Sequence, residues 1–207
     1  MTAGLAGVRV HGMTRAAFMT RGALAAASAY GLGAVAPWVQ RAVAQESGAG
    51  GDTGIVQFAI SLEYLEAAFY KRGLKEVPGL SGDVKDVVAQ LRDQEADHVD
   101  MLISLLNQLG AGAATPPKFD FGGAFDSEAT FLQLAQTFED TGVQAYNGVG
   151  PAVQSPDVLG SVASIVQVEG RHAGVIRDIR GAPITPGAFD RGASRQIVLE
   201  RVKPFTG

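Results

Sequence analysis

Two short stretches of this chain combine residue types that do chemistry. "DQEADHVDML" carries Glu95 and His98, and "VEGRHAGVI" carries Glu169 and His172. In each, an acid and an imidazole stand three residues apart, which puts them on one face of a helix. Stepping outward from the first pair in alternating fours and threes gives Val84, Val88, Leu91, Leu102, Leu105 and Leu109. From the second pair the same steps give Val158, Val162, Ile165, Ile176 and Ile179. Both pairs therefore interrupt an aliphatic seam of the kind that a helix buries. A buried carboxylate without a partner costs several kcal/mol or takes up a proton, so something must stand opposite each pair.

The partners are found in two further segments. "LEYLEAAFY" offers Glu63 and Glu66, and "TFEDTGVQAY" offers Glu139. Glu63 and Glu139 are each followed seven residues later by a tyrosine, Tyr70 and Tyr146. The offset between Glu63 and Glu139 is 76 residues, and that between Glu95 and Glu169 is 74. The chain thus reads as two similar halves, each supplying one Glu, one Tyr and one Glu-x-x-His. Glu66 aligns with Gly142 and is not repeated; Glu63 is taken as the ligand, with Glu66 as its neighbour or substitute. Four carboxylates and two imidazoles converging in a helical core are expected to hold two divalent metal ions. The charges balance, and an oxygen-plus-imidazole shell suits iron or manganese, whereas zinc prefers fewer, tetrahedral ligands. The expected metal ligands are Glu63, Glu95, His98, Glu139, Glu169 and His172. Tyr70 and Tyr146, on the same faces as the ligand glutamates, are candidate catalytic groups that donate a hydrogen bond to a bound oxidant or give up an electron. Asp93, Asp97, Asp100 and Arg171 fall off the seams and read as a solvated face, while Phe58, Phe69, Phe131 and Phe138 read as core.

Four helices are needed to position these residues. The first is expected over 55–72 with Gly73 at its end, and the second from a Ser81 cap to Leu109 and Gly110. A third starts at an Asp126 or Ser127 cap and runs to Val149. A fourth starts near Ser155, with Pro156 at its first position, and ends before Gly181. A Pro- and Gly-rich connection of about sixteen residues, "GAGAATPPKFDFGGAF", separates the second from the third. No useful strand alternation is present. Four long helices with short links inside each half and one long crossover describe an all-α four-helix bundle, here expected over 55–180. A tail over 181–207 is expected to hold one short helix at 193–202.

The first 44 residues differ in kind. They contain Arg9, Arg15, Arg21 and Arg41 and no acid; an Ala/Gly-rich apolar stretch at 22–39 is followed by Ala42-Val43-Ala44. Basic start, apolar middle and small-residue end describe a cleaved export signal rather than a membrane anchor, delivered by the general secretory route or by a degenerate twin-arginine signal in "TRAAFM", where Ala16 stands for the second arginine. Residues 45–54 then read as a flexible linker. Cleavage after Ala44 leaves 13 basic residues against 21 acidic ones, a net charge of −8, which argues against nucleic acid or anionic lipid as partner. No stable membrane span is expected after cleavage, and homo-oligomer formation is left open. Cys is absent, so neither a disulfide nor a thiolate-held metal is available.

In its motif order the chain resembles the ferritin-like superfamily, which includes ferritins, bacterioferritins, rubrerythrins and manganese catalases. Glu63, Glu95, His98, Glu139, Glu169 and His172 match its four-Glu, two-His pattern over residues 53–181. The exported bacterial ferritin-like domain proteins, some described as desiccation-related, are the nearest in kind, and "FDRGASRQIVLERVKPF" looks like the tail of that branch. A fifth helix of the sort that closes ferritin cages is not evident. The resemblance implies a di-metal bundle and, in many relatives, oxidation chemistry with oxygen or peroxide. Two functions follow as expectations. One is a di-metal oxidoreductase of ferroxidase or peroxidase type, acting on Fe²⁺, oxygen or peroxide in periplasmic stress protection, with metal ions and a small oxidant as partners. The other is a non-enzymatic exported bundle in which the metals are structural.

Overall fold

The computed structural model describes residues 50–206, together with the backbone of a two-residue antiparallel pair, β1 (Arg9–Val10) and β2 (Met13–Thr14). The rest of the expected export signal and the first part of the expected linker lie outside the described residues.

Residues 50–206 form an all-α bundle of four long helices, α1 (Gly51–Glu76), α2 (Gly82–Gln108), α3 (Glu128–Val149) and α4 (Pro156–Ile179), followed by a short α5 (Arg195–Val202). α1 packs along α2 and α3 along α4, and the two hairpins meet through α1 against α3 and α2 against α4. Local chemistry sets the helix starts. Ser127 and Thr130 form a reciprocal capping box at the start of α3, and the Ser155 hydroxyl accepts from Val158 N–H ahead of Pro156. The long crossover between α2 and α3 carries one 3₁₀ turn, Gly122–Phe125.

α1 begins at Gly51, inside the stretch expected to be a linker. Its first-turn Asp52 explains the extension: the carboxylate accepts from the backbone N–H groups of Gln154 and Ser155, at 2.8 and 2.7 Å, tying this end of α1 to the entry of α4. The tail is also fastened down. Ala193 N–H donates to Gln144 O at 2.8 Å, Asp120 N–H donates to Phe205 O at 3.0 Å, and the Arg195 guanidinium lies 5.2 Å from the Phe58 ring centroid.

The interior is apolar at both ends and polar at mid-height. On α2, Val84, Val88 and Leu91 belong to one core cluster and Leu102, Leu105 and Leu106 to another; on α4, Ile176 belongs to the first and Val158, Val162 and Ile165 to the second. The first cluster is built around Phe69, whose ring centroid lies 4.8 Å from that of Phe131, 5.0 Å from Phe138, 5.2 Å from Phe121 and 5.5 Å from Phe125. Hairpin contact here is close enough to require Gly73, since a Cβ at that position would stand 2.2 Å from Phe131 Cε2. The acidic and imidazole layer lies between these ends, between Leu91 and Leu102 on α2 and between Ile165 and Ile176 on α4. Among the described residues, no helix is long and apolar enough to cross a membrane.

Candidate metal centre

Glu63 and Glu66 project from α1, Glu95 and His98 from α2, Glu139 from α3, and Glu169 and His172 from α4. All seven are buried: the carboxylates of Glu63, Glu95, Glu139 and Glu169 are fully enclosed, and His98, at 8%, is the most exposed. The helical period explains the convergence, because the aliphatic residues three and four positions to either side are drawn into the core and carry the polar groups in with them.

Two overlapping groups of ligand atoms result. Glu63, Glu95, His98 and Glu169 form one, and Glu95, Glu139, Glu169 and His172 form the other, with the atoms of each lying within 4.8 Å of one another. Glu95 and Glu169 belong to both groups, so the structure brings the six sequence-predicted residues together as two groups that share two carboxylates. Both histidines turn Nδ1 inward. His98 Nδ1 lies 3.2 Å from Glu63, 3.1 Å from Glu95 and 3.0 Å from Glu169, while His172 Nδ1 lies 2.8 Å from Glu95 Oε1 and 3.6 Å from Glu139 Oε2.

The tyrosines cross between the halves. The Tyr70 hydroxyl donates to Glu139 Oε1, and the Tyr146 hydroxyl donates to Glu63 Oε1. Each tyrosine follows a glutamate by two turns on its own helix, yet it holds the equivalent glutamate of the opposite hairpin. That pairing depends on how the hairpins dock, and spacing along one helix contains no signal for it.

Two further groups enter the site. Glu66 is 2% exposed, and Gly142 makes room for it: a Cβ at position 142 would lie 3.2 Å from Glu66 Oε1 and 3.4 Å from Glu169 Oε2. The unrepeated glutamate is thus matched by a glycine at the aligned position of the other half. Gln94, just before Glu95, reaches across to α4, and His172 Nε2–H donates to its Oε1 at 2.7 Å. Gln94 was not singled out in the sequence, where only its place next to a ligand could have marked it.

The electrostatics are those of an anionic box. Burial pushes the Glu63 carboxyl up to about 8 against the opposing pull of His98. Burial, reinforced by neighbouring carboxylates, holds Glu66 and Glu169 well above the ordinary carboxylate value, and burial also raises Glu139. Glu95 goes the other way: burial would raise it, but hydrogen bonds from His172 and His98 bring it to about 2. The imidazoles respond in kind. Burial disfavours their charge, yet the surrounding carboxylates raise His98 to about 12 and His172 to about 11. Burial raises the hydroxyls of Tyr70 and Tyr146 well above the usual phenol value.

The donor set fits divalent cations. Glu66 Oε2, Glu139 Oε2 and Glu169 Oε2 are buried and have no hydrogen-bond partner among the described residues, while Glu95 Oε1 and Glu169 Oε1 face the Nδ1 atoms of His172 and His98. Buried polar atoms are nearly always partnered, and here the unpartnered ones are the atoms that cations would bind.

A family model described as a ferritin-like domain matches residues 51–182. A crystal structure of a conserved hypothetical protein, rv2844, from Mycobacterium tuberculosis is similar in fold, with a TM-score of 0.58 at 21% sequence identity, covering 70% of this chain and 99% of that one. No curated protein matches the chain.

Proposed function

The chain belongs to the ferritin-like domain family, and from that premise we propose that it is an exported di-metal protein that oxidises Fe²⁺ at the expense of oxygen or peroxide. The observation that carries the reading is the set of unpartnered buried donor atoms shared between two overlapping ligand groups. Iron or manganese in such a shell supplies one-electron change between its divalent and trivalent states.

The chain's own residues do the rest. Glu63 and His98 would hold one cation, and Glu139 and His172 the other, with Glu95 and Glu169 available to both. The Tyr70 and Tyr146 hydroxyls orient the outer carboxylates by one hydrogen bond each. Their phenols remain protonated, since burial and nearby carboxylates raise both, so each can hold or pass a proton at its oxygen. The apolar side chains above and below the layer exclude water. Among the candidate ligands, His98 is the most exposed at 8%, and so enclosed a layer suits an oxidant of a few atoms rather than an organic substrate.

Export belongs to the same proposal and rests on the basic, apolar and small-residue segments of 1–44; a mature N-terminus at Gln45, read by mass spectrometry of the secreted protein, tests it. The chemistry is tested by metal analysis after anaerobic reconstitution, followed by stopped-flow mixing with oxygen or peroxide. We expect about two ions per chain and ferric absorbance growing faster than in buffer for the native chain, but not for Glu139→Ala. Near-zero stoichiometry refutes the centre. Two ions with equal rates for the two proteins leave the metals as structural staples.

A further inference from the structure

The two halves repeat their ligands but not the support behind them. His172 gives Nδ1 to the site and Nε2–H to Gln94 Oε1, 2.7 Å away on α2. An imidazole whose Nδ1 holds a cation keeps its one proton on Nε2, and a carbonyl oxygen is the acceptor that this proton needs. Gln94 therefore fixes both the tautomer and the ring plane that metal binding requires.

The 74-residue offset that carries Glu95 to Glu169 and His98 to His172 carries Gln94 to Val168. An isopropyl group accepts nothing. Among the described residues, every hydrogen bond and ion pair of His98 is made by Nδ1. Its side chain is 10% exposed against 3% for His172, which leaves its outer N–H to solvent. Gln94 and Val168 are both half-buried, so the two aligned positions differ in chemistry rather than in depth.

We infer that the two cation positions fill unequally and in order. The position made by Glu95, Glu139, Glu169 and His172 fills first, because Gln94 holds His172 ready; the position made by Glu63, Glu95, His98 and Glu169 fills second and exchanges more readily. Gln94 is a positioning residue for the first position. The inference rests on the di-metal reading of the centre. Loss of a partner that orients a metal-bound histidine typically costs about 10–100-fold in metal affinity, which sets the expected separation.

The test is a titration of the metal-free mature protein with Mn²⁺, reading free ion by electron paramagnetic resonance. Wild type should bind in two phases whose dissociation constants differ by about 10–100-fold. His172→Ala should remove the tight phase and His98→Ala the weak one. Gln94→Leu should weaken the tight phase by a similar factor, Gln94→Glu should restore it by keeping an acceptor oxygen, and Val168→Gln should tighten the weak phase. Metal-free melting curves of Gln94→Leu and Val168→Gln, compared with wild type, show that both fold. No Mn²⁺ binding by wild type defeats the di-metal reading itself. Two phases of equal affinity, a reversed assignment by the histidine variants, or a Gln94→Leu protein that binds like wild type overturns the order of filling.

Discussion

Glu95 and Glu169 each belong to both groups of candidate ligand atoms, whereas Glu63, His98, Glu139 and His172 belong to one each. Removing one ligand should therefore cost one site or two according to its place. A ligand that binds only the folded state stabilises it by about 2.7 kcal/mol per site at a free concentration one hundred times its dissociation constant. Two sites give roughly 5 kcal/mol. For a domain of this size each kcal/mol moves the melting temperature by about 2–4 °C, so saturating metal should raise wild type by about 10–20 °C. His98→Ala breaks the group of Glu63, Glu95, His98 and Glu169 and spares the tighter one, so it should keep at least half of the wild-type rise. Glu95→Gln is nearly isosteric, keeps one acceptor oxygen and removes the charge from both groups, so its rise should fall close to zero. Calorimetric scans with and without Mn²⁺ decide between these outcomes. A Glu95→Gln protein that keeps as large a rise as His98→Ala refutes the bridging role of Glu95. A full rise in both His98→Ala and His172→Ala refutes the histidines as ligands.

Stability of the metal-free protein should fall as pH rises from 5 to 8. A group whose folded pKa is raised stabilises fully below its unfolded value and loses that contribution towards the folded one. Glu63, pushed by burial to about 8, loses it between 4.5 and 8, and His98 and His172, at about 12 and 11, begin to lose it above 6.5. Metal displaces these protons, so the metal-induced rise in melting temperature should grow over the same interval; a metal-free melting temperature that climbs from pH 5 to 8 contradicts this. Tyr146→Phe leaves Glu63 Oε1 without its donor and should destabilise the metal-free protein by about 1–3 kcal/mol in urea melts; no loss shows that the hydroxyl does not support the carboxylate. Gly73→Ala drives a methyl against the Phe131 ring and should cost about 1–3 kcal/mol by the same melts, with a neutral result meaning that α1 and α3 separate easily.

The helices were legible because each carries its own signal: Ser81, Ser127 and Ser155 stand at the starts, and aliphatic seams mark the buried faces of α2 and α4. The convergence of the six candidate ligands shares that legibility, since their spacing and their seams are properties of single helices. Features that need two elements at once were not legible. The start of α1 at Gly51 depends on Asp52 meeting the amides before α4, one hundred residues away in sequence. The crossed tyrosines, the fit of Glu66 over Gly142 and the reach of Gln94 to His172 all depend on how closely the hairpins approach and in what register. The absence of repetition at Glu66 was visible in the alignment of the halves, but its meaning was not.

Neither hairpin holds a complete centre. α1 with α2 supplies Glu63, Glu95 and His98, and α3 with α4 supplies Glu139, Glu169 and His172. Two identical copies of one hairpin, associating about a two-fold axis, would assemble an equivalent cage, but symmetry would bind them to a rule: any residue placed behind one imidazole appears behind both. Gln94 could then face no Val168, and Glu66 would meet a second Glu66 in the space that Gly142 leaves open. Joining the halves through the crossover gives each its own codons. The single chain is what permits a cage of matched side chains to set a glutamine carbonyl behind one imidazole and none behind the other.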